Sequence, residues 1–200
     1  MGLGSPDREV RVPPAAKPSP AATPTAISLL HGKVTKVDSG DAFTALITDG
    51  STERVRLVGI DAPDPDQVWG DKSYFALAAL LNGKDVVIRF RGRDAYGRIL
   101  GRVIADGKDV GLTQLTNGNA WYMKADAPQL TPPARKLYPA AEASAKKNRI
   151  GLWADPAPVS PWDFRKGTGA SELKTFEEKS EVKQPDGFFG RVTSIFSGKS

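Results

Sequence analysis

The chain has 200 residues, 40% hydrophobic and 26% charged, with a formal net charge of +5 and a sequence pI of about 9.4. That is enough apolar material for one folded core, and its basic balance favours polyanionic partners without naming one. With no cysteine and a single histidine, His31, disulfides and zinc-cysteine or histidine-built zinc sites are excluded, so any metal must be held by oxygen.

Residues 1–30 lack the charged start and apolar run of a signal peptide, and no stretch approaches the eighteen or so apolar residues of a membrane span. Met1-Gly2 opens like a myristoylation signal, but Pro6 stands where Ser or Thr is expected. The compartment is therefore left open among secreted, periplasmic and intracellular forms. From Pro13 to Thr25 the chain is almost wholly Pro, Ala, Ser, Thr and Lys, which buries too little apolar area to offset the entropy of ordering. Residues 1–26 are expected to form a disordered Pro/Ala-rich segment, its Pro13–Thr25 part behaving as a semi-extended linker.

Three β-rich stretches follow, Ile27 to Val37, Ala42 to Thr48 and Glu53 to Gly59, the last two joined through Asp49-Gly50. They predict a three-stranded meander. Between Gly70 and Leu81, Phe75, Leu77, Ala78, Leu80 and Leu81 fall on a helical period, with Asn82-Gly83 as the stop. Two further strands, Asp85 to Arg91 and Arg98 to Ala105, are linked by the turn Asp94-Ala95-Tyr96-Gly97 and closed by Asp106-Gly107. A short helix over Val110 to Asn117 ends at Gly118, and a longer one is expected from about Lys136 to Arg149, capped by Gly151. Pro139 sets that start, because an interior proline removes a hydrogen bond and clashes with the preceding turn.

The predicted fold class is therefore α+β, a five-stranded OB-type β-barrel with three helices over residues 27–166. Residues 167–200, mixed in charge between Glu172 and Lys183, are expected to form a flexible tail. Near its end Phe188, Phe189, Val192, Ile195 and Phe196 recur at helix-like spacing, read either as a weak docking element for an unknown partner or as a sticky terminus.

Carboxylates and arginines concentrate in three short blocks: Gly40-Asp41, Arg56 through Asp64, and Asp94-Ala95-Tyr96-Gly97-Arg98. Phosphodiester hydrolysis needs cationic groups on the phosphate, an activated water and stabilisation of the leaving oxygen, and these residue types supply them. Taken singly, Asp41 reads as a turn residue, Asp61 as a loop aspartate before Ala62-Pro63, and Arg56 as a strand arginine in a surface ion pair. Tyr96-Gly97 reads equally as hairpin chemistry or a nucleotide contact. Lys84, Arg89, Arg91 and Arg93 could grip a phosphate backbone or form a solvated sheet face. Trp121 and Tyr122 could stack a base, though packing of the Trp against the last helix is the simpler reading, and His31 is a bystander.

In order, spacing and wording these blocks resemble the staphylococcal nuclease (thermonuclease) family. Gly118-Asn119-Ala120-Trp121 resembles the ending of that family's second helix, and Ala141 through Lys147 with Gly151-Leu152-Trp153 resembles its last helix and exit. Together the matches cover about 140 of the 200 residues. The resemblance implies that Asp41 and Asp61, with the backbone carbonyl of Ala62 and water, hold Ca2+, and that Arg56 and Arg98 grip the phosphate, Arg98 nearest the leaving 5′ oxygen.

Where the family carries a glutamate that positions or deprotonates the attacking water, this chain has Asp64, shorter by one methylene or about 1.5 Å. The only glutamates between Leu30 and Lys166 are Glu53 and Glu142. The family's Asp-Gly-Asp-Thr reads Ser39-Gly40-Asp41-Ala42 here, removing one charge and one hydroxyl near the cation. The expected function is a calcium-dependent nuclease of low sequence preference, acting as a monomer on DNA and/or RNA and cutting the 5′-oxygen bond to leave 3′-phosphate ends. The alternative is a nucleic-acid-binding OB module weakened or silenced by Asp64, Ser39 and Ala42, and a third reading is an interaction domain working through its tails.

Overall fold

The computed structural model describes residues 26–167. The Pro/Ala-rich segment and the apolar period around Phe188 to Phe196 lie outside the described residues. The chain order is β1 (Ser28–Val37), β2 (Ala42–Ile47), β3 (Thr52–Leu57), β4 (Ile60–Asp61), α1 (Gly70–Leu81), β5 (Asp85–Arg93), β6 (Ile99–Ala105), β7 (Lys108–Asp109), α2 (Val110–Thr116), β8 (Trp121–Tyr122), α3 (Pro132–Lys147) and α4 (Pro161–Arg165). Single 3-10 turns cover Lys124–Gln129 and Gly151–Ala154.

The first three strands form the expected antiparallel meander, and β1 also pairs with β5, which pairs with β6. Parallel pairing of β3 with β6, Val55 opposite Ile99 and Leu57 opposite Gly101, closes the five long strands into a barrel. Closure removes the free edges that an open sheet would expose. Register shifts between Val34 and Lys36 on β1, and between Phe90 and Gly92 on β5, supply the bends that closure requires. The first shift also explains why Val34 and Val37 both face inward although three positions separate them.

Alternating residues of β2, β3, β5 and β6 fill the interior, with Phe43, Val55, Ile88, Ile99 and Val103 wholly buried. Each such side chain contributes about 1.5–3 kcal/mol relative to exposure. α1 closes one region of the core with Leu77 and Leu81. Asp109 ties the lower part together: it caps α2 through Leu112 N, accepts from Tyr138 Oη at 2.8 Å and pairs with Arg102 Nε at 2.7 Å. Burial and the neighbouring Asp109 charge push the Tyr138 phenol well above its ordinary range, so it stays a donor.

Two expectations need correction. The long helix α3 begins at Pro132, not near Lys136, and Pro139 lies in its interior. Pro132 and Pro133 sit in the first turn, where a missing N–H costs nothing, and Ala134 and Tyr138 are buried in the early turns; that docking outweighs the hydrogen bond lost at Pro139. The described residues also include a fourth helix, α4, where three were expected. Its five residues are too few for an apolar period, and it is held by Ser160, whose Oγ accepts from Asp163 N and donates to Asp163 Oδ2, and by buried Pro161. No helix among the described residues is long and apolar enough to cross a membrane.

Candidate active site

Asp41 enters the site because Gly40 turns the chain tightly between β1 and β2. A Cβ at Gly40 would run into the Ser73 side chain and Ala62, so only glycine permits the approach. The Ser39 hydroxyl donates to Asp41 Oδ1 at 2.7 Å, which leaves Oδ2 facing Arg56. Gln114, wholly buried, donates to the Gly40 carbonyl at 2.8 Å and anchors this turn to α2.

Arg56 lies on β3 and points away from the core into a cleft, with its side chain only 13% exposed. Its Nε is 3.4 Å from Asp41 Oδ2, Nη2 is 3.6 Å from Asp61 Oδ1, and Nη1 is 3.2 Å from Asp126 Oδ2. Nη2 also donates to the Ile60 carbonyl at 3.0 Å. Burial opposes the guanidinium charge, but Asp41, Asp126 and Asp61 more than offset it and hold its pKa above the ordinary value.

Asp61 is fixed by the short β4–β8 pairing, in which it lies opposite Trp121. Trp121 in turn packs edge-on against Trp153 at 4.3 Å and Trp162 at 5.6 Å, so this ring belongs to a structural cluster and not to an open stacking platform. Burial pushes the Asp61 carboxyl above its ordinary range, Arg165 pulls against that, and the Asp41 charge adds to the rise. Asp64 follows in a loop held by Gln67, whose Oε1 accepts from Asp64 N at 3.1 Å.

Across the cleft, the Asp94–Gly97 turn carries Arg98. Asp94 accepts from the backbone N–H of Tyr96 and of Arg98, and its Oδ2 takes Arg98 Nε at 2.7 Å. Tyr96 thus serves the hairpin, while its ring stands 82% exposed with the Arg98 guanidinium 5.5 Å from its centroid. Ser39, Asp41, Arg56, Asp61, Ala62, Asp64, Tyr96, Arg98 and Arg165 all line this cleft of about 520 Å³. The six residues singled out from the sequence therefore share one cavity.

Two participants carried no sequence signal. Asp126, in the 3-10 turn, accepts from both Arg56 Nη1 and Gly59 N. Arg165, at the end of α4, contacts Asp61 Oδ2 at 2.5 Å and Asp64 Oδ1 at 3.0 Å. Other charged residues weighed in the sequence have partners away from this cleft: Glu53 pairs with Arg93, Lys84 with Asp106, and Glu142 with Lys146 and Tyr122 N.

The donor set suits a hard divalent cation in charge and type. Among the described residues the ion-pair partners of Asp41, Asp61, Asp64 and Asp126 are Arg56 and Arg165, and Asp94 pairs with Arg98, so these groups carry two negative charges in excess. Among the described residues no three acidic, histidine or cysteine side chains form a cage on their own. A cation here would complete its shell with carbonyl, water and substrate oxygens, as calcium does.

Residues 54–155 match the family described as Staphylococcal nuclease homologue. An "Uncharacterized endonuclease" of Escherichia coli is 36% identical over 137 residues, covering 68% of this chain and 85% of the relative. A "Micrococcal nuclease" of Shigella flexneri is 34% identical over 147 residues, 69% of this chain and 82% of the relative. An "Uncharacterized endonuclease" of Haemophilus influenzae is 33% identical over 134 residues, 67% and 72% respectively. With its closed barrel, its inserted helices and these relatives, the chain belongs to the staphylococcal nuclease family.

Proposed function

We propose that this protein is a calcium-dependent nuclease that hydrolyses DNA and/or RNA with low sequence preference, cutting the bond to the 5′ oxygen and leaving 3′-phosphate ends. The observation that carries the reading is the convergence of Asp41, Asp61 and Arg56 in one largely buried cluster at the floor of a cleft that Arg98 also lines. Family membership and the nuclease names of the relatives support it.

In this mechanism Asp41, Asp61 and the Ala62 carbonyl would hold Ca2+. The chemistry such an ion would supply is positive charge to offset that of the phosphate and a lowered pKa for water. Asp64 orients the attacking water and takes its proton as the new oxygen–phosphorus bond forms. Arg56 and Arg98 stabilise the charge that grows on the equatorial oxygens, and Arg98 faces the 5′ oxygen, which departs with the electrons of its bond to phosphorus and takes up a proton from solvent water. A single chain carries every group named, consistent with a monomeric enzyme.

A second reading has a specific observation behind it. Asp64 is short, and its Oδ1 is engaged by Arg165, so a nucleic-acid-binding module with little turnover is the alternative. One assay separates the two: cleavage of plasmid and single-stranded DNA in calcium or EGTA by the wild type, Arg56→Ala and Asp64→Glu. The enzyme reading expects calcium-dependent cutting that Arg56→Ala lowers by about a hundredfold or more. Binding without cutting, with hydrolysis gained in Asp64→Glu, would establish the module.

A further inference from the structure

The C-terminal segment Val159–Arg165 is built into the site's wall. Gln67, nearly fully buried, donates from Nε2 to the Val159 carbonyl at 2.5 Å while its Oε1 holds the Asp64 N–H. Trp162 packs edge-on against Trp121, the strand partner of Asp61. Ser160 caps α4, and Pro161 is buried at its first position. From this fixed base Arg165 reaches the two carboxylates, placing one guanidinium nitrogen on Asp61 Oδ2 and the other on Asp64 Oδ1.

We infer that Arg165 is a positioning residue, whose planar fork sets the separation between Asp61 and Asp64 and so aims Asp64 at the attacking water. The inference rests on the phosphodiesterase reading above. Its physical basis is that a two-pronged rigid cation fixes two carboxylates relative to each other, which a point charge cannot do. The need is greater here than for a longer acid, because Asp64 reaches less far and tolerates less error in aim. Arg165 occupies Asp61 Oδ2 and leaves Oδ1 on the side of Arg56, so the bridge and the Asp41–Asp61 cluster use different oxygens. Without Arg165, the hydrogen bonds that hold Asp64 to Gln67 run through its backbone N–H and carbonyl, and neither fixes where its carboxylate points.

The test uses the full chain and its Arg165→Gln and Arg165→Lys variants. Calcium affinity is measured by calorimetry without nucleic acid, kcat and KM on a single-stranded oligonucleotide, and folding by thermal melting. For Arg165→Gln, kcat falls about tenfold or more while KM changes less than about twofold. Its calcium affinity rises about fivefold, because a positive neighbour half exposed to solvent has gone. Arg165→Lys keeps the charge and the calcium affinity of the wild type but loses kcat, since an ammonium cannot bridge both carboxylates.

Tighter calcium with unchanged or faster turnover in Arg165→Gln would show a plug that competes with the cation, and would overturn the inference. A parallel fall in melting temperature, calcium affinity and kcat would reduce Arg165 to a structural tie, also overturning it. A wild type that binds calcium and cuts, with variants indistinguishable from it, sinks the inference alone. A wild type that neither binds calcium nor cuts sinks the phosphodiesterase reading and the inference with it.

Discussion

Arg56 holds the cluster together because, among the described residues, it is the one cation in contact with Asp41, Asp61 and Asp126 alike. Removing it leaves three largely buried carboxylates short of a partner, so Arg56→Ala is expected to lose stability as well as rate. The loss is about 3 kcal/mol, read by chemical denaturation. Arg56→Lys keeps the charge and should recover most of that stability while remaining impaired in turnover, because the bidentate fork is gone. Equal turnover in the Lys variant would argue that only charge matters at this position.

Asp94 makes a prediction about pH. Burial works against its ionised form, but the Arg98 guanidinium and the N–H groups of Arg98 and Tyr96 hold its carboxyl below the ordinary range. A carboxylate lowered on folding contributes stability in full above its unfolded pKa, about 3.9, and loses it as pH falls through the folded value. Asp94→Asn should therefore be less stable than wild type at neutral pH, with the gap closing below about pH 4. A gap constant through the acid range would contradict the pairing. At this scale Asp41, Arg56, Asp61, Ala62, Asp64 and Arg98 were singled out by the resemblance of their blocks to the nuclease family, since Asp41, Arg56 and Asp61 taken singly read as ordinary turn, strand and loop residues; the structure brings all six into one cleft. Asp126 and Arg165 were not singled out, since each is one residue in a polar loop or short helix and meets the site only through tertiary packing.

Among the elements, α3 shows how two proline rules can conflict. Pro139 argues for a late start, whereas Pro132-Pro133 argues for an early one, and burial of Ala134 and Tyr138 decides for the latter. The residual cost stays in the helix: Pro139→Ala restores an N–H to its interior and should raise stability by about 1–2 kcal/mol in thermal or chemical denaturation. A neutral or destabilising outcome would mean that the proline ring packs well enough to offset the lost bond. α4 is invisible to periodicity, and its available signal was the Ser160-Pro161 start with Asp163 three residues beyond the cap.

For the whole molecule, alternation and turn chemistry were enough to predict five strands and an inserted helix, because each strand must bury one face and each turn needs its Gly, Asn or Asp. Closure through parallel β3–β6 pairing was not visible, since it joins strands about forty residues apart with no local marker. Closure is also what gathers the chemistry: it brings β3, carrying Arg56, beside β6, at whose start Arg98 stands, while β4 and β8 hold Asp61 beneath them.

The central claim is that the excess carboxylate charge of this cleft serves a calcium ion during phosphodiester hydrolysis. The most direct measurement is the calcium dependence of single-stranded DNA cleavage by wild type and Asp61→Asn, with the chemistry of the new ends determined. The account predicts cleavage that EGTA abolishes, 3′-phosphate products, and a rate in Asp61→Asn lower by about a hundredfold or more. Cleavage that persists in EGTA, or an Asp61→Asn variant as active as wild type, would contradict it.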